Sequence, residues 1–233
     1  MNFPRLDDRL KSVADFIPPC EVFLDVGTDH AFLPVYLLKN KITEFAIASD
    51  LRKGPLDSAK KTALHFGVTD KISLRLGSGF ETVRESEVQA AAVAGMGGIL
   101  ISELLKASEN IVRKIETIVL QPMTAAYELR VFLYQNGYTV ADEVLAKDGN
   151  KIYTVMKVHP HAQKKNEPLS EAELYLGRHI LKKDGEIYRE FKQRQLDKLK
   201  KQISGMEKSL SVESSERLSE IKKLYEDIKS LTV

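Results

Sequence analysis

Alternation is the feature that most limits what this chain can fold into. Apolar, strand-like runs at 21–26, 45–50, 72–76, 88–94 and 117–121 are separated by amphipathic, helix-like segments. Strands that alternate with helices build βαβ units around a mainly parallel sheet. One intervening segment reads Gly54-Pro55-Leu56-Asp57-Ser58-Ala59-Lys60-Lys61, with proline early, where a helix loses no hydrogen bond to it. Two further runs, 139–145 and 152–158, break the rhythm. They are joined by Lys147-Asp148-Gly149-Asn150, and Asp-Gly favours a tight hairpin turn. The expected fold is α/β, a seven-stranded sheet whose last pair is an antiparallel hairpin.

Beyond His159-Pro160-His161 the pattern changes. Lys164-Lys165-Asn166-Glu167-Pro168 is polar and rich in helix breakers, as a linker is. A helix is expected over 170–181. Then Leu196, Leu199, Ile203, Met206 and Leu210 step by threes and fours, the seam of a coiled coil. A polar break at 211–215 precedes a second stripe, Leu218, Ile221, Tyr225 and Ile228. Two seams and a turn predict an α-helical coiled-coil hairpin. The expected division is 1–160 and 161–233, and periodicity leaves open whether the seam pairs within a chain or between chains, as monomer or homodimer.

Composition removes whole classes of function. With 233 residues, 43% of them hydrophobic, the chain can bury a core without staples. A single cysteine, Cys20, allows no internal disulfide and no cysteine zinc cluster. No stretch approaches the roughly 18 apolar residues of a membrane span, and Met1-Asn2-Phe3-Pro4-Arg5-Leu6-Asp7-Asp8 lacks the basic and apolar regions of a signal peptide. A cytoplasmic protein is expected. The net charge of +2 hides an asymmetry: residues 1–160 hold 19 basic and 20 acidic side chains, residues 161–233 hold 16 and 13. The stretch 178–201 alone carries nine basic and four acidic residues, which suits either a polyanion partner or an ordinary solvated helix face.

The chemistry gathers at strand ends. The first strand closes in Asp25-Val26-Gly27-Thr28-Asp29-His30-Ala31. A glycine between a buried strand and a helix lets the backbone turn beside a ligand. A dinucleotide fingerprint needs glycines at 27, 29 and 32, but 29 is Asp and 32 is Phe. Asp50 ends the second strand, 23 residues after Gly27, where an acid accepts the hydroxyls of a ribose or caps the following helix. The next ends are Gly77-Ser78-Gly79-Phe80, Ala94-Gly95-Met96-Gly97-Gly98 and Gln121-Pro122-Met123. Open α/β sheets bind ligands at that edge.

Elimination narrows the ligand. The chain has neither a G-x-x-x-x-G-K-[ST] phosphate loop nor a G-x-S-x-G nucleophile elbow. His30, His65, His159, His161 and His179 are scattered, and no metal site is expected: His159 and His161 read as a solvated strand end, and Cys20 as a packing residue. An adenosyl ligand with an uncharged or cationic tail remains. S-adenosyl-L-methionine fits, because Asp25 and Asp29 can face its ammonium and sulfonium.

These strings together resemble a known family. Asp25-Val26-Gly27-Thr28-Asp29-His30-Ala31-Phe32-Leu33-Pro34, Ser49-Asp50, Lys53-Gly54-Pro55-Leu56, Ala94-Gly95-Met96-Gly97-Gly98 and Gln121-Pro122-Met123 are similar to the TrmK family of bacterial tRNA (adenine-N1)-methyltransferases acting on nucleotide 22. The resemblance covers essentially the whole chain. It implies a Rossmann-like class I methyltransferase sheet, S-adenosyl-L-methionine as cofactor and tRNA as partner. It also implies cofactor contacts from Asp25, Gly27, Thr28, Asp50, Leu51, Gly77, Ser78, Gly79, Ala94, Gly95, Met96 and Gly97. Ser78 departs from the pattern, since related sequences often have an acid between these glycines, so a hydroxyl or backbone N–H must serve there.

The implied reaction needs no strong base, because N1 of adenine already offers a lone pair. Alignment of nitrogen, methyl and sulfur is the main task, on a base exposed or flipped from its stack. Asp29, with His30 as hydrogen-bond partner, either stabilises the developing cation or only positions cofactor. Gln121 and Met123 are candidates for the target base, and Arg5, Arg9, Arg52, Lys53 and the 178–201 face for tRNA phosphates. Two other classes stay open: a methyltransferase of another substrate, and a non-catalytic adenosyl-binding scaffold.

Overall fold

The computed structural model describes residues 3–161, 168–208 and 213–231. The chain divides into two compact units, Met1–Asn166 and Glu167–Val233. The first unit runs α1 (Asp8–Phe16), β1 (Cys20–Val26), α2 (Phe32–Lys39), β2 (Thr43–Asp50), α3 (Lys53–Phe66), β3 (Ile72–Leu76), a 3₁₀ turn (Gly79–Thr82) and β4 (Ala90–Gly97). It continues through α4 (Gly98–Ala107), α5 (Glu109–Val112), β5 (Thr117–Thr124), α6 (Ala126–Gln135), β6 (Thr139–Asp148) and β7 (Lys151–His159). The seven strands order as β3-β2-β1-β4-β5-β7-β6. The first five are parallel, and β7 runs antiparallel to both β5 and β6.

Period-two alternation explains the two-sided core. Phe23, Ala46, Ala48, Ala90, Ala92 and Val119 bury against Val13, Ala14, Val35 and Ala59 on one face. Their neighbours Leu24, Ile47, Ala91, Val93, Ile118 and Leu120 bury against Ile101, Leu105, Leu129 and Leu133 on the other. Local chemistry sets the helix ends. Asp7 accepts the Leu10 N–H at 2.6 Å to start α1, and Gly67, at φ +66°, closes α3 in the left-handed conformation.

Two strands outrun their apolar stretches. β4 continues through its glycines to Gly97 and β5 to Thr124, because Met96 pairs with Pro122 and Gly97 with Thr124 across a bulge after Ala94. The hairpin turn also lies one residue later than Asp-Gly suggests. Asp148 pairs with Lys151, so Gly149-Asn150 form the loop, with Gly149 at φ +54°, glycine first as in a type II′ turn.

The second unit is helical. The expected helix over 170–181 is instead α7 (Glu171–Leu176), which Gly177 stops at φ +103°, followed by a 3₁₀ turn (Ile180–Lys182). A capping box joins Ser170 and Glu173 at its start. Then come α8 (Glu186–Lys208) and α9 (Glu213–Ser230). Glu207 pairs with Lys222 at 2.7 Å, and Lys192 reaches the carbonyl of Leu231, so the two helices form an antiparallel hairpin within the chain. Leu196, Leu199, Leu224 and Ile228 are buried. Leu224 thus takes the inner position beside Tyr225, which is half-buried. Leu210, residues 211 and 212 of the polar break and residues 164–167 of the linker lie outside the described residues.

Candidate active-site crevice

Connections leave β1 toward β2 and β3 on one side, whereas β4 and β5 extend the sheet on the other. The strand order therefore reverses between β1 and β4, and the crevice of an open α/β sheet forms at that switch, beyond the carboxyl ends of the strands.

The β1 turn forms one wall. Gly27 adopts φ +75°, and both its N–H and that of Thr28 donate to the Ser49 carbonyl at 2.8 Å. The turn is thereby clamped to β2 and offers those two amides to no anion. Thr28 is buried, and its Oγ1 accepts the Ala31 N–H at 3.1 Å. Ala31 itself sits at φ +56°, a strained conformation for an alanine, as α2 begins. Asp25 is only 8% exposed. Burial pushes its carboxyl up to about 6, against the opposing pull of a Thr28 hydroxyl hydrogen bond. Asp29 projects outward, with a side chain 81% exposed, and its Oδ2 lies 3.5 Å from His30 Nε2. The His30 ring stacks on Phe32, with centroids 5.3 Å apart.

Asp50 stands at the end of β2. Its Oδ1 accepts the Arg52 N–H at 2.7 Å and lies 3.7 Å from Arg52 Nε. One oxygen thus serves the turn into α3, which leaves the other for a ligand. Leu51, Arg52 and Lys53 follow, all exposed. After β3, glycines 77 and 79 have packing reasons of their own. A Cβ on Gly77 would meet Thr82 Cγ2 at 2.8 Å, and one on Gly79 would meet Leu104 Cδ2 at 2.8 Å. Ser78 is half-buried between them.

The opposite wall is the β4 bulge. Ala94 is half-buried, and Gly95 takes φ +80°. The Met96 methyl lies against the Gly27 turn, 2.1 Å from where a Cβ on Gly27 would stand. Gly97 passes beside Thr124, and Gly98 beneath Ala125, whose carbonyl oxygen lies 2.2 Å from a would-be Cβ. Gln121 is fully buried. Its Oε1 accepts from Gly95 N–H at 3.0 Å and from Arg9 Nη1 at 2.8 Å, and its Nε2 donates to the Pro122 carbonyl. Met123 is exposed at the rim, and Arg5 is exposed just before α1.

The β1, β2 and β4 ends thus bring together Asp25, Gly27, Asp50 and Met96. Gln121 and Arg9, expected to face the substrate, are hydrogen-bonded to each other. Two features carry no signal in the sequence: the Arg9–Gln121 pairing and the left-handed alanines at 31 and 125. Among the described residues no three His, Cys, Asp or Glu side chains cluster as a metal site, and His159 Nδ1 lies 2.8 Å from the Glu116 carbonyl.

Similarity to known proteins runs along the whole of this architecture. Residues 23–232 match the family described as TrmK: tRNA (adenine(22)-N(1))-methyltransferase. The tRNA (adenine(22)-N(1))-methyltransferase of Bacillus subtilis (strain 168) is 38% identical over 156 residues, 67% of this chain and 66% of that protein, slightly under two thirds of its length. The crystal structure of the B. subtilis m1A22 tRNA methyltransferase TrmK superposes with a TM-score of 0.85 at 29% identity, covering 97% of this chain and 99% of that one. M. capricolum TrmK, solved with its cofactor product S-adenosyl-homocysteine, gives 0.82 at 26% identity over 97% and 99%. With that family matching from β1 to the last helix, on a sheet and crevice of this geometry, the chain belongs to the TrmK family of tRNA (adenine(22)-N(1))-methyltransferases.

Proposed function

We infer that this protein transfers a methyl group from S-adenosyl-L-methionine to N1 of adenine 22 in tRNA. The observation that carries the cofactor half is the electrostatic character of the crevice. Its glycine turn has the Gly27 and Thr28 N–H groups committed to Ser49, so it lacks the free amides that cradle a phosphate. Asp25, Asp29 and Asp50 lie at the same edge, and three carboxylates repel a pyrophosphate while attracting a cationic tail. The residues present therefore fit an adenosyl group with ammonium and sulfonium charges.

Asp50 holds the ribose hydroxyls with its remaining oxygen, and the exposed Leu51 offers apolar surface to the adenine. Ser78 stands where the family often has an acid and serves through its hydroxyl or backbone. Asp25 and Thr28 anchor the amino-acid end. When bound, the cofactor supplies an electrophilic methyl on sulfonium; the N1 lone pair takes the carbon as the C–S electron pair returns to sulfur. The protein's task is alignment, shared between the Gly27 turn and the Ala94–Gly97 backbone. Asp29, open to solvent beside His30, stabilises the positive charge that develops on the base, and Met123 borders it from the rim.

Exposed Arg5, Arg52 and Lys53 and the cations of α8 contribute phosphate contacts, in keeping with RNA recognition through backbone and shape. Among the described residues no helix is long and apolar enough to cross a membrane, and a tRNA substrate puts the activity in the cytoplasm. Residues 1–160 carry the methyltransferase and 161–233 a tRNA-binding arm. Transfer of labelled methyl to unmodified tRNA transcripts tests the reading, with label expected at N1 of adenine 22. Cofactor binding without transfer across a varied transcript panel would overturn the tRNA assignment.

A further inference from the structure

Gln121 presents a problem that packing alone does not solve. It sits fully buried in β5 beside apolar strand neighbours, and burying an amide is unfavourable unless both ends are bonded. Both are. Its oxygen accepts from Arg9 at 2.8 Å and from Gly95 N–H at 3.0 Å, and its nitrogen donates to Pro122 at 3.0 Å.

The Gly95 bond lies where the β4–β5 ladder fails. Register runs from Ala94↔Gln121 straight to Met96↔Pro122, which leaves Gly95 as the extra residue of a bulge at φ +80°. A bulged N–H loses its ladder partner, and the Gln121 side chain replaces it. The bulge in turn aims Met96 at the Gly27 turn, where its methyl makes contact. Arg9 completes the line from α1, 112 residues away in sequence. Its side chain is only 18% exposed, and Asp7 lies 3.4 Å from its other amino group.

We propose that Arg9 and Gln121 are positioning residues that act together, through the Gly95 N–H, to set the Gly95–Met96 backbone at the methyl-transfer point. Arg9 thus works on the geometry of transfer and not on a tRNA phosphate. The inference rests on the proposed reaction, so wild-type transfer to tRNA is established first; its absence would count against that reading and not against the relay.

The variants are Arg9→Leu, Gln121→Leu, their double and Arg9→Lys, each compared in kcat, KM for tRNA and the salt dependence of tRNA binding. Each leucine variant is expected to lower kcat about tenfold or more, in line with the cost of a misplacement near 1 Å. The double variant should do no worse than the worse single, since one linked unit fails once. Arg9→Lys, which keeps a donor, should recover part of the loss, and KM for tRNA should stay within about twofold. In ¹³C-methyl methionine spectra, the Met96 signal should move alike in both leucine variants. Unchanged kcat with a raised KM and a salt slope shallower by about one would make Arg9 a phosphate contact and overturn the proposal. Additive losses would overturn it too. If Gln121→Leu does not fold, Arg9→Leu and Arg9→Lys decide by the split between kcat and KM and by the Met96 signal.

Discussion

Asp25, proposed above to anchor the cofactor, carries the sharpest conflict between stability and that role at the level of single residues. Burial raises its carboxyl to about 6, whereas an unfolded chain holds it near 3.9. The folded protein then binds the proton more tightly than the unfolded one. The contribution of this group to stability is therefore greatest below about pH 4, declines as pH rises from 4 to 6, and stays low above. At about 1.4 kcal/mol per tenfold, the loss is of the order of 3 kcal/mol. Asp25→Asn is accordingly expected to melt above wild type at pH 8, with the gap closing toward pH 4, and to bind S-adenosyl-L-methionine at least about tenfold more weakly. Melting curves across pH and calorimetric titration check both halves. The placement of Asp25 and Asp50 at the carboxyl ends of β1 and β2 was legible in the sequence, because each stands at the close of an apolar run. Arg9 and Gln121 were not legible as a pair, because a contact across 112 residues leaves no periodic trace. Nor do Ala31 and Ala125 announce their left-handed backbone, since alanine has no preference for it.

Elements were legible wherever periodicity alone decides them, and misplaced wherever pairing does. All seven strands were readable, yet β4 and β5 run past their apolar stretches because a bulged ladder, invisible in composition, carries them to Gly97 and Thr124. The hairpin was readable too, but strand register, not the strongest local dipeptide, puts Gly149-Asn150 at its tip. One tie between elements lies outside the reach of patterning. Arg130 of α6 donates through Nε to Glu143 of β6 at 2.7 Å, with both side chains no more than 3% exposed. Losing one member breaks a buried ion pair, so Arg130→Met is expected to cost about 3–5 kcal/mol in urea unfolding. The double variant Arg130→Met/Glu143→Leu should recover most of that loss, because the two charges of the pair leave together. A double variant as unstable as the single would mean that packing around α6, not charge, sets the cost.

For the whole molecule, charge divides as the two units do: residues 1–160 are close to neutral, and the excess of basic side chains lies in 161–233. A crevice lined by acids suits the cofactor but repels a polyanion, so affinity for tRNA has to come from elsewhere on the chain. On the proposed reading the long helix α8 supplies it, with a suitable spacing. Arg194, Lys198 and Lys201 recur at intervals of four and three and are exposed along one face, which a rigid helix can hold against successive phosphates. Replacing all three by glutamate is therefore expected to weaken tRNA binding by at least about tenfold. If each had displaced one counterion, the slope of log affinity against log salt should become shallower by about two to three. S-adenosyl-L-methionine affinity and melting temperature should hold, since the crevice described above is built from residues of the first unit and none of the three is a buried residue of the hairpin seam. Filter binding across a salt series, run beside cofactor titration on the same preparation, separates the two effects. An unchanged slope would return this face to ordinary solvated surface and move the phosphate contacts to Arg5, Arg52 and Lys53 at the rim of the sheet.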